Sequence, residues 1–368
     1  SSFGFGGTNA HVIVSESPVV RPPHQADSDP HAEQTRTRAV GSPCLVTLSA
    51  SSSEALREAA AAHARLIDHC ADLDAVATAT QLQKTSHRHR IAVVGDSTEM
   101  IGNRLRQVAL GEVSSRVQVG TAPTDRQLSI AFMFSGQGAQ YVGMGHGLYR
   151  KSREFRGWVD RCDQLLHDEF GYGVGKLVAS ELHTNGAVAR ILEGPGSQTG
   201  LFVLQLALAR TLMHWGVHPS AVIGHSMGEY AAAAVADVMD WENALRLTAV
   251  RAQQVADIAP EGAMTVVFDS ADAVRRHLDT LGEELSIAAI DGPDHIVVSG
   301  SVSAIRALEQ LLQTAGTATR PLRVARAFHS RLIEPVLDSI GQTVSRFTLR
   351  HPNQACMSTL TGTEVDGE

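Results

Sequence analysis

A serine set between glycines, in Gly224-His225-Ser226-Met227-Gly228, is the group in this chain best placed for covalent chemistry. The G-x-S-x-G pattern marks a nucleophile when a buried strand leads into it and a helix leads out, because the glycines permit the tight turn that lifts the hydroxyl out of the sheet. Both conditions are met in the chain: the apolar run Ala221-Val222-Ile223 comes before, and the Ala-rich stretch Glu229 to Val238 comes after. Such a helix aims its first N–H groups at a developing oxyanion. The serine needs a base. Among 17 histidines, His329 in Ala327-Phe328-His329-Ser330 is the candidate, since it follows the last strand of an inserted segment, where the chain returns to the larger unit.

Two further groups fit the same chemistry. Gly136-Gln137-Gly138-Ala139-Gln140 follows an apolar strand but lacks the Lys-Ser/Thr of a phosphate loop. Beside the elbow, the N–H of Gln137 and that of Met227 would form an oxyanion hole. Arg251 lies on an otherwise apolar helical stretch, Leu247 to Ala252. There it either snorkels to solvent or points into a cleft, where its planar fork matches a carboxylate.

These residues need a scaffold, and the hydrophobic pattern outlines one. Residues 44 to 118 read as a small β-α-α-β-α unit: a strand from Cys44, a capping box at Ser51-Ser52-Ser53-Glu54, a helix striped by Leu56, Ala59, His63, Leu66, Ile67 and Cys70, a helix from about Leu73 to Thr85, a strand Arg90 to Val94, and a helix from near Thr98. A larger α/β unit begins with the strand Leu128 to Phe134, then a long helix with Leu201, Leu204, Leu208 and Leu212 feeds the strand at Ala221. From Gly262 the order becomes strand, helix, strand, strand, helix, strand, ending with Thr317 to Val324. That is the ferredoxin-like order.

Composition narrows the classes. The 368 residues suffice for two or three structural units, and 43% apolar with 19% charged residues is the balance of a soluble globular chain. A net charge of -8 argues against nonspecific binding to nucleic acid or anionic lipid. No apolar run reaches the roughly 18 residues of a membrane span. Cys44, Cys70, Cys162 and Cys356 lack C-x-x-C spacing, so neither zinc nor a redox pair is expected, and reduced thiols in a cytoplasmic protein are the simplest reading. The opening Ser1-Ser2-Phe3-Gly4, without Met or signal segment, reads as a piece of a longer polypeptide.

Taken in order, Gln137, Ser226, Arg251 and His329 resemble the malonyl transferases of fatty acid synthesis and the acyltransferase domains of type I modular polyketide synthases. Gly4-Phe5-Gly6-Gly7-Thr8-Asn9-Ala10-His11 resembles the end of a ketosynthase, with His11 on one of its active-site histidines, here a remnant without the nucleophilic cysteine. The resemblance implies an α/β fold: an α/β-hydrolase-like large subdomain with an inserted ferredoxin-like small subdomain, and a small α/β adapter domain before it. The expected divisions are a ketosynthase remnant at 1–16, a linker at 17–43, a ketosynthase-acyltransferase adapter at 44–118, a linker at 119–127, the large subdomain at 128–261, the small subdomain at 262–325, and a return to the large subdomain at 326–368.

It implies malonyl-CoA as substrate, an acyl carrier protein bearing phosphopantetheine as partner together with the ketosynthase and other domains of the same multienzyme, and no tightly bound cofactor or metal. By the same resemblance His225 and Phe328 lie against the substrate. Ala-Phe-His-Ser is similar to the malonyl-selective form of its motif, where methylmalonyl-selective relatives carry Ser in place of Phe328. Asp291 and Ala252 depart from the family's usual Asn and Gly. The family also carries a further C-terminal segment whose main-chain carbonyl orients the histidine. A serine hydrolase, sharing the elbow, and a non-catalytic docking fragment are the competing readings.

Overall fold

A computed structural model describes residues 2–3, 9–10, 43–70, 72–82, 85–112, 115–123, 128–141, 143–175, 178, 194–282 and 284–365. His11 and all of the linker expected at 17–43 except Pro43 lie outside the described residues. The chain divides into two units between Gln127 and Leu128.

In the first unit β1 (Ser2–Phe3) pairs antiparallel with β2 (Asn9–Ala10). The remaining elements are β3 (Cys44–Ala50), α1 (Ser53–Asp68), α2 (Leu73–Leu82), β4 (His89–Gly95), α3 (Thr98–Ala109) and β5 (Val117–Thr121). β4 is central, antiparallel to β3 and β5. Alternation decides the faces: Cys44, Val46, Leu48 and Ala50 point into the core, while Leu45 is exposed. Ser52 starts α1 by accepting from the Ala55 N–H at 3.1 Å. The buried stripe of α1 is Leu56, Ala60, Ala64 and Ile67, which shares Leu56 and Ile67 with the expected one, and Leu66 is 59% exposed. Small alanines are what let α3 pack closely against this face. Val119, Gly120 and Thr121, expected in a linker, instead belong to β5, which pairs with what would otherwise be an open edge of β4.

In the second unit the order is β6 (Ala131–Phe134), α4 (His146–Lys151), α5 (Arg153–Phe170), α6 (Gly196–His214), β7 (Ala221–Gly224), α7 (Gly228–Val235), α8 (Trp241–Ile258), β8 (Ala263–Val267), α9 (Ala271–Leu281), β9 (Leu285–Gly292), β10 (His295–Gly300), α10 (Val302–Thr314), β11 (Thr319–Pro321), a 3-10 helix (Arg331–Val336), α11 (Leu337–Val344) and β12 (Ala355–Met357). β7 lies between β6 and β12, parallel to both, with Phe132, Val222 and Cys356 in register. The β6 ladder starts at Ala131 rather than Leu128, because Ile130 turns its carbonyl to the Ser220 N–H instead. Phe155, Val159, Cys162 and Leu166 form one stripe of α5 and pack with Phe202 and Leu206 of α6 in the main core. Fully burying each of the larger side chains contributes about 1.5–3 kcal/mol.

The segment from β8 to β11 forms its own antiparallel sheet in the order β11-β8-β10-β9, with Val274 of α9 and Leu308 and Leu312 of α10 in its core. β11 stops at Pro321, short of the expected Val324; Pro321 has no N–H for a ladder bond. The segment leaves and rejoins the larger sheet's neighbourhood at one place, where the Gly262 N–H donates to the Ala325 carbonyl at 3.2 Å. Cys70, Cys162 and Cys356 are free thiols, and burial pushes the Cys162 thiol up to about 12. Among the described residues no helix is long and apolar enough to cross a membrane.

Candidate active site

The C-terminal ends of parallel strands are where an open α/β sheet presents chemistry, and β6 and β7 end side by side, Phe134 opposite Gly224. The His225 N–H donates to the Phe134 carbonyl at 2.8 Å, which ties the elbow to the turn carrying Gly136 and Gln137. Ser226 then adopts φ 51, a left-handed conformation that costs an L-residue about 1–2 kcal/mol. Close packing compels the glycines. A Cβ on Gly224 would stand 2.2 Å from the Gly228 carbonyl carbon, and one on Gly228 would stand 2.1 Å from the Phe134 oxygen. Gly136 makes room for the His225 ring in the same way, since its Cβ would lie 2.7 Å from Nδ1.

His329 reaches the elbow because the inserted segment returns the chain there. Ala327 is fully buried against Gly262, where an added Cβ would lie 2.5 Å away. Ser330 closes the turn: its hydroxyl donates to the Ala327 carbonyl at 2.7 Å and accepts from the Leu332 N–H at 3.3 Å, starting the 3-10 helix. Within that turn His329 sits at φ 59 and holds Nε2 2.8 Å from Ser226 Oγ. Its pKa is lowered from the ordinary histidine value, first by burial, then by the charge of Arg251 and of His225, with Glu229 opposing. The neutral ring, able to accept a proton, is thereby favoured.

Arg251 does not snorkel. From α8 its guanidinium turns inward to donate to Gln198 Oε1 and lies 3.1 Å from Met227 Sδ and 5.5 Å from the Phe328 ring centre. Burial lowers its pKa, with Tyr230 opposing. Met227 is 2% exposed and follows the nucleophile directly. Gln137 stands in the turn after β6 and donates from Nε2 to Ser197 Oγ at 3.3 Å. Ser226, His329, Arg251, Met227 and Phe328 are thus brought together as a contiguous group, with His225 beside Ser226 on the elbow.

Sequence reasoning missed two members of the site. Gln198 is 4% exposed, in the first turn of α6, and supports Arg251; a polar side chain near the start of an otherwise apolar helix was the available signal. Asp291, noted only as a departure, is the last residue but one of β9 and has Oδ1 3.4 Å from His225 Nε2, so the inserted sheet touches the elbow directly.

A strand, a strained serine and a helix, faced by a histidine, define a protein that handles acyl groups. Comparison with known proteins makes this specific. The acyl transferase domain family matches residues 131–368, and the ketoacyl-synthetase C-terminal extension matches residues 1–94. The chain belongs to the acyl transferase family and is homologous to the acyltransferase domains of modular polyketide synthases. It is 33% identical to erythronolide synthase EryA2 of Saccharopolyspora erythraea over 100% of the chain and 10% of that protein. It is 34% identical to the phthioceranic/hydroxyphthioceranic acid synthase of Mycobacterium tuberculosis over 92% of the chain and 15% of that protein. The chain therefore spans only a small part of the length of these relatives, 10% of one and 15% of the other. Among solved structures, the acyl transferase domain of SpnD, in complex with 2-(pent-4-yn-1-yl)malonyl, superposes with a TM-score of 0.76 at 35% identity, covering 89% of this chain and 76% of that one.

Proposed function

We propose that this chain loads an extender unit, most readily malonyl, from coenzyme A onto the phosphopantetheine arm of an acyl carrier protein, through an acyl-enzyme on Ser226. The second unit is read as an α/β-hydrolase-like subdomain with a ferredoxin-like insertion, and the first as the adapter that follows a ketosynthase in the same multienzyme. The observation that carries this reading is the 2.8 Å contact between Ser226 Oγ and His329 Nε2, on an elbow flanked by a half-buried Arg251.

His329 Nε2 takes the proton from Ser226 Oγ as the oxygen attacks the thioester carbonyl. The carbonyl oxygen becomes an oxyanion under the N–H groups of Gln137 and Met227. Collapse expels the coenzyme A thiolate, which leaves with the proton from His329. The carrier's thiol then gives its proton to His329 and attacks the ester, and Ser226 leaves with that proton restored. Arg251 would hold the malonyl carboxylate bidentately, an anion being the partner that offsets the cost of burying a guanidinium. No metal or tightly bound cofactor enters these steps.

The test is to mix the protein with malonyl-coenzyme A, quench, and weigh the peptide containing Ser226, then add a phosphopantetheinylated carrier protein. A malonyl ester on Ser226 that disappears as the carrier gains the same mass is the expected result. An ester that hydrolyses equally fast with or without carrier supports a hydrolase instead.

A further inference from the structure

Beside the Ser226–His329 pair runs a cleft of about 470 Å³, lined in part by Gln137, Gln198, Val255 and Phe328. Among its described lining residues only Arg323 and Arg326 carry charge, and none is acidic. The two arginines differ. Arg326 is committed to the protein: Nε donates to the Val255 carbonyl at 3.3 Å and Nη2 to the Ala256 carbonyl at 3.0 Å, at the C-terminal turn of α8, where a cation suits the helix dipole. Arg323 is exposed and has no hydrogen bond or ion pair among the described residues.

Its backbone is nevertheless held. The Leu322 N–H donates to Met264 O at 2.9 Å, and the Val324 N–H donates to Leu322 O at 3.0 Å. The second bond makes Arg323 the middle residue of a three-residue turn. A fixed corner thus carries a guanidinium, unpaired among the described residues, onto the wall of a cleft whose described lining has no acidic group, and a guanidinium fork matches phosphate oxygens.

We infer that Arg323 is a binding residue for the phosphate of the pantetheine arm, the anionic group that coenzyme A and a loaded carrier protein share. This rests on the reading that both substrates arrive on that arm. Arg251 serves the other end of the donor, beyond Gln198 and Phe328 of the cleft wall.

The experiment compares malonyl-4'-phosphopantetheine with malonyl-pantetheine, which differ by that phosphate alone, in the acylation of Ser226. In the unsubstituted protein kcat/KM should favour the phosphorylated thioester. Arg323→Ala should reduce the ratio of the two by about 3- to 10-fold, as expected for an exposed charge-assisted contact, and Arg323→Lys should recover part of it. Added salt should depress the same ratio. An unchanged ratio in Arg323→Ala overturns the inference, and so does an equal loss with both thioesters, which marks a structural role. A ratio that falls for malonyl-coenzyme A but not for malonyl-4'-phosphopantetheine overturns the shared site by placing the contact on the nucleotide. A protein acylated by neither thioester nor by malonyl-coenzyme A overturns the proposed function, and this inference with it.

Discussion

Ser226 and His329 lie 103 residues apart in the chain, yet Oγ and Nε2 meet at 2.8 Å while both backbones hold a positive φ, 51 and 59. Neither residue is glycine, so both positions store backbone strain that the surrounding packing sustains. Replacing Ser226 by Ala should abolish acyl-enzyme formation, and His329→Ala should slow it by on the order of 10⁴-fold. Ser226→Gly should unfold no earlier than the unsubstituted protein, because glycine accepts this φ freely. A marked fall in Tm for Ser226→Gly would mean the hydroxyl holds the fold together.

Gly228→Ala tests the packing of the elbow. Its Cβ would stand 2.1 Å from the Phe134 oxygen, a backbone atom that cannot swing aside as a side chain can. Destabilisation of about 1–3 kcal/mol is expected, with loss of acylation beyond what the change in stability explains. Chemical denaturation and burst-phase labelling measure the two effects separately.

Arg251→Ala should reduce acylation by malonyl-coenzyme A by about 10- to 100-fold relative to acetyl-coenzyme A, since the charge-assisted pair exists only for the former. Gln198→Ala should show the same preference in weaker form, through a guanidinium no longer held by Gln198 Oε1. Equal losses for the two thioesters would remove Arg251 from carboxylate recognition.

The pH profile follows from the lowered pKa of His329. The base must be neutral, so acylation should rise with pH through a folded-state pKa that lies below the ordinary histidine value. Removing the nearby positive charge in Arg251→Gln should move that acidic limb upward. The stability term has the matching sign: the unfolded chain protonates first, so the contribution of His329 is present above the ordinary value and is lost as pH falls through the folded pKa. A limb that moves downward in Arg251→Gln contradicts the electrostatic assignment.

Extender choice is expected to depend on Phe328. Its ring packs with Val255, Ala259 and Val336 and lies 5.5 Å from the Arg251 guanidinium. A large ring there leaves little room for an α-methyl branch. Malonyl-coenzyme A should be preferred over methylmalonyl-coenzyme A, by at most about 10- to 200-fold, and Phe328→Ser should relax the preference. Competition between the two thioesters gives the answer, and a methylmalonyl preference in the unsubstituted protein rejects it.

The elbow was legible in the sequence because its constraints are local. A strand, two glycines that close packing demands and a helix follow one another within fifteen residues, Ala221 to Val235, and turn chemistry dictates their order. Ser52 as the cap of α1 and the alternation of β3 were legible for the same reason. Contacts between distant segments were not. The stripe of α1 shifted because helix periodicity leaves its phase open by a residue, and only the approach of α3 settles it. Residues 119–121 of β5 read as linker since none of them is buried, and the pairing of β5 with β4 is a tertiary fact.

The sequence by itself determined the family and the strand-to-helix elbow around Ser226. Tertiary structure decided that the inserted sheet enters and leaves at Gly262 and Ala325, and so delivers His329 to Ser226. It also turned Arg251 inward onto Gln198 and set Asp291 against His225. Distances between residues tens of positions apart depend on how whole elements pack, and no short-range pattern encodes them.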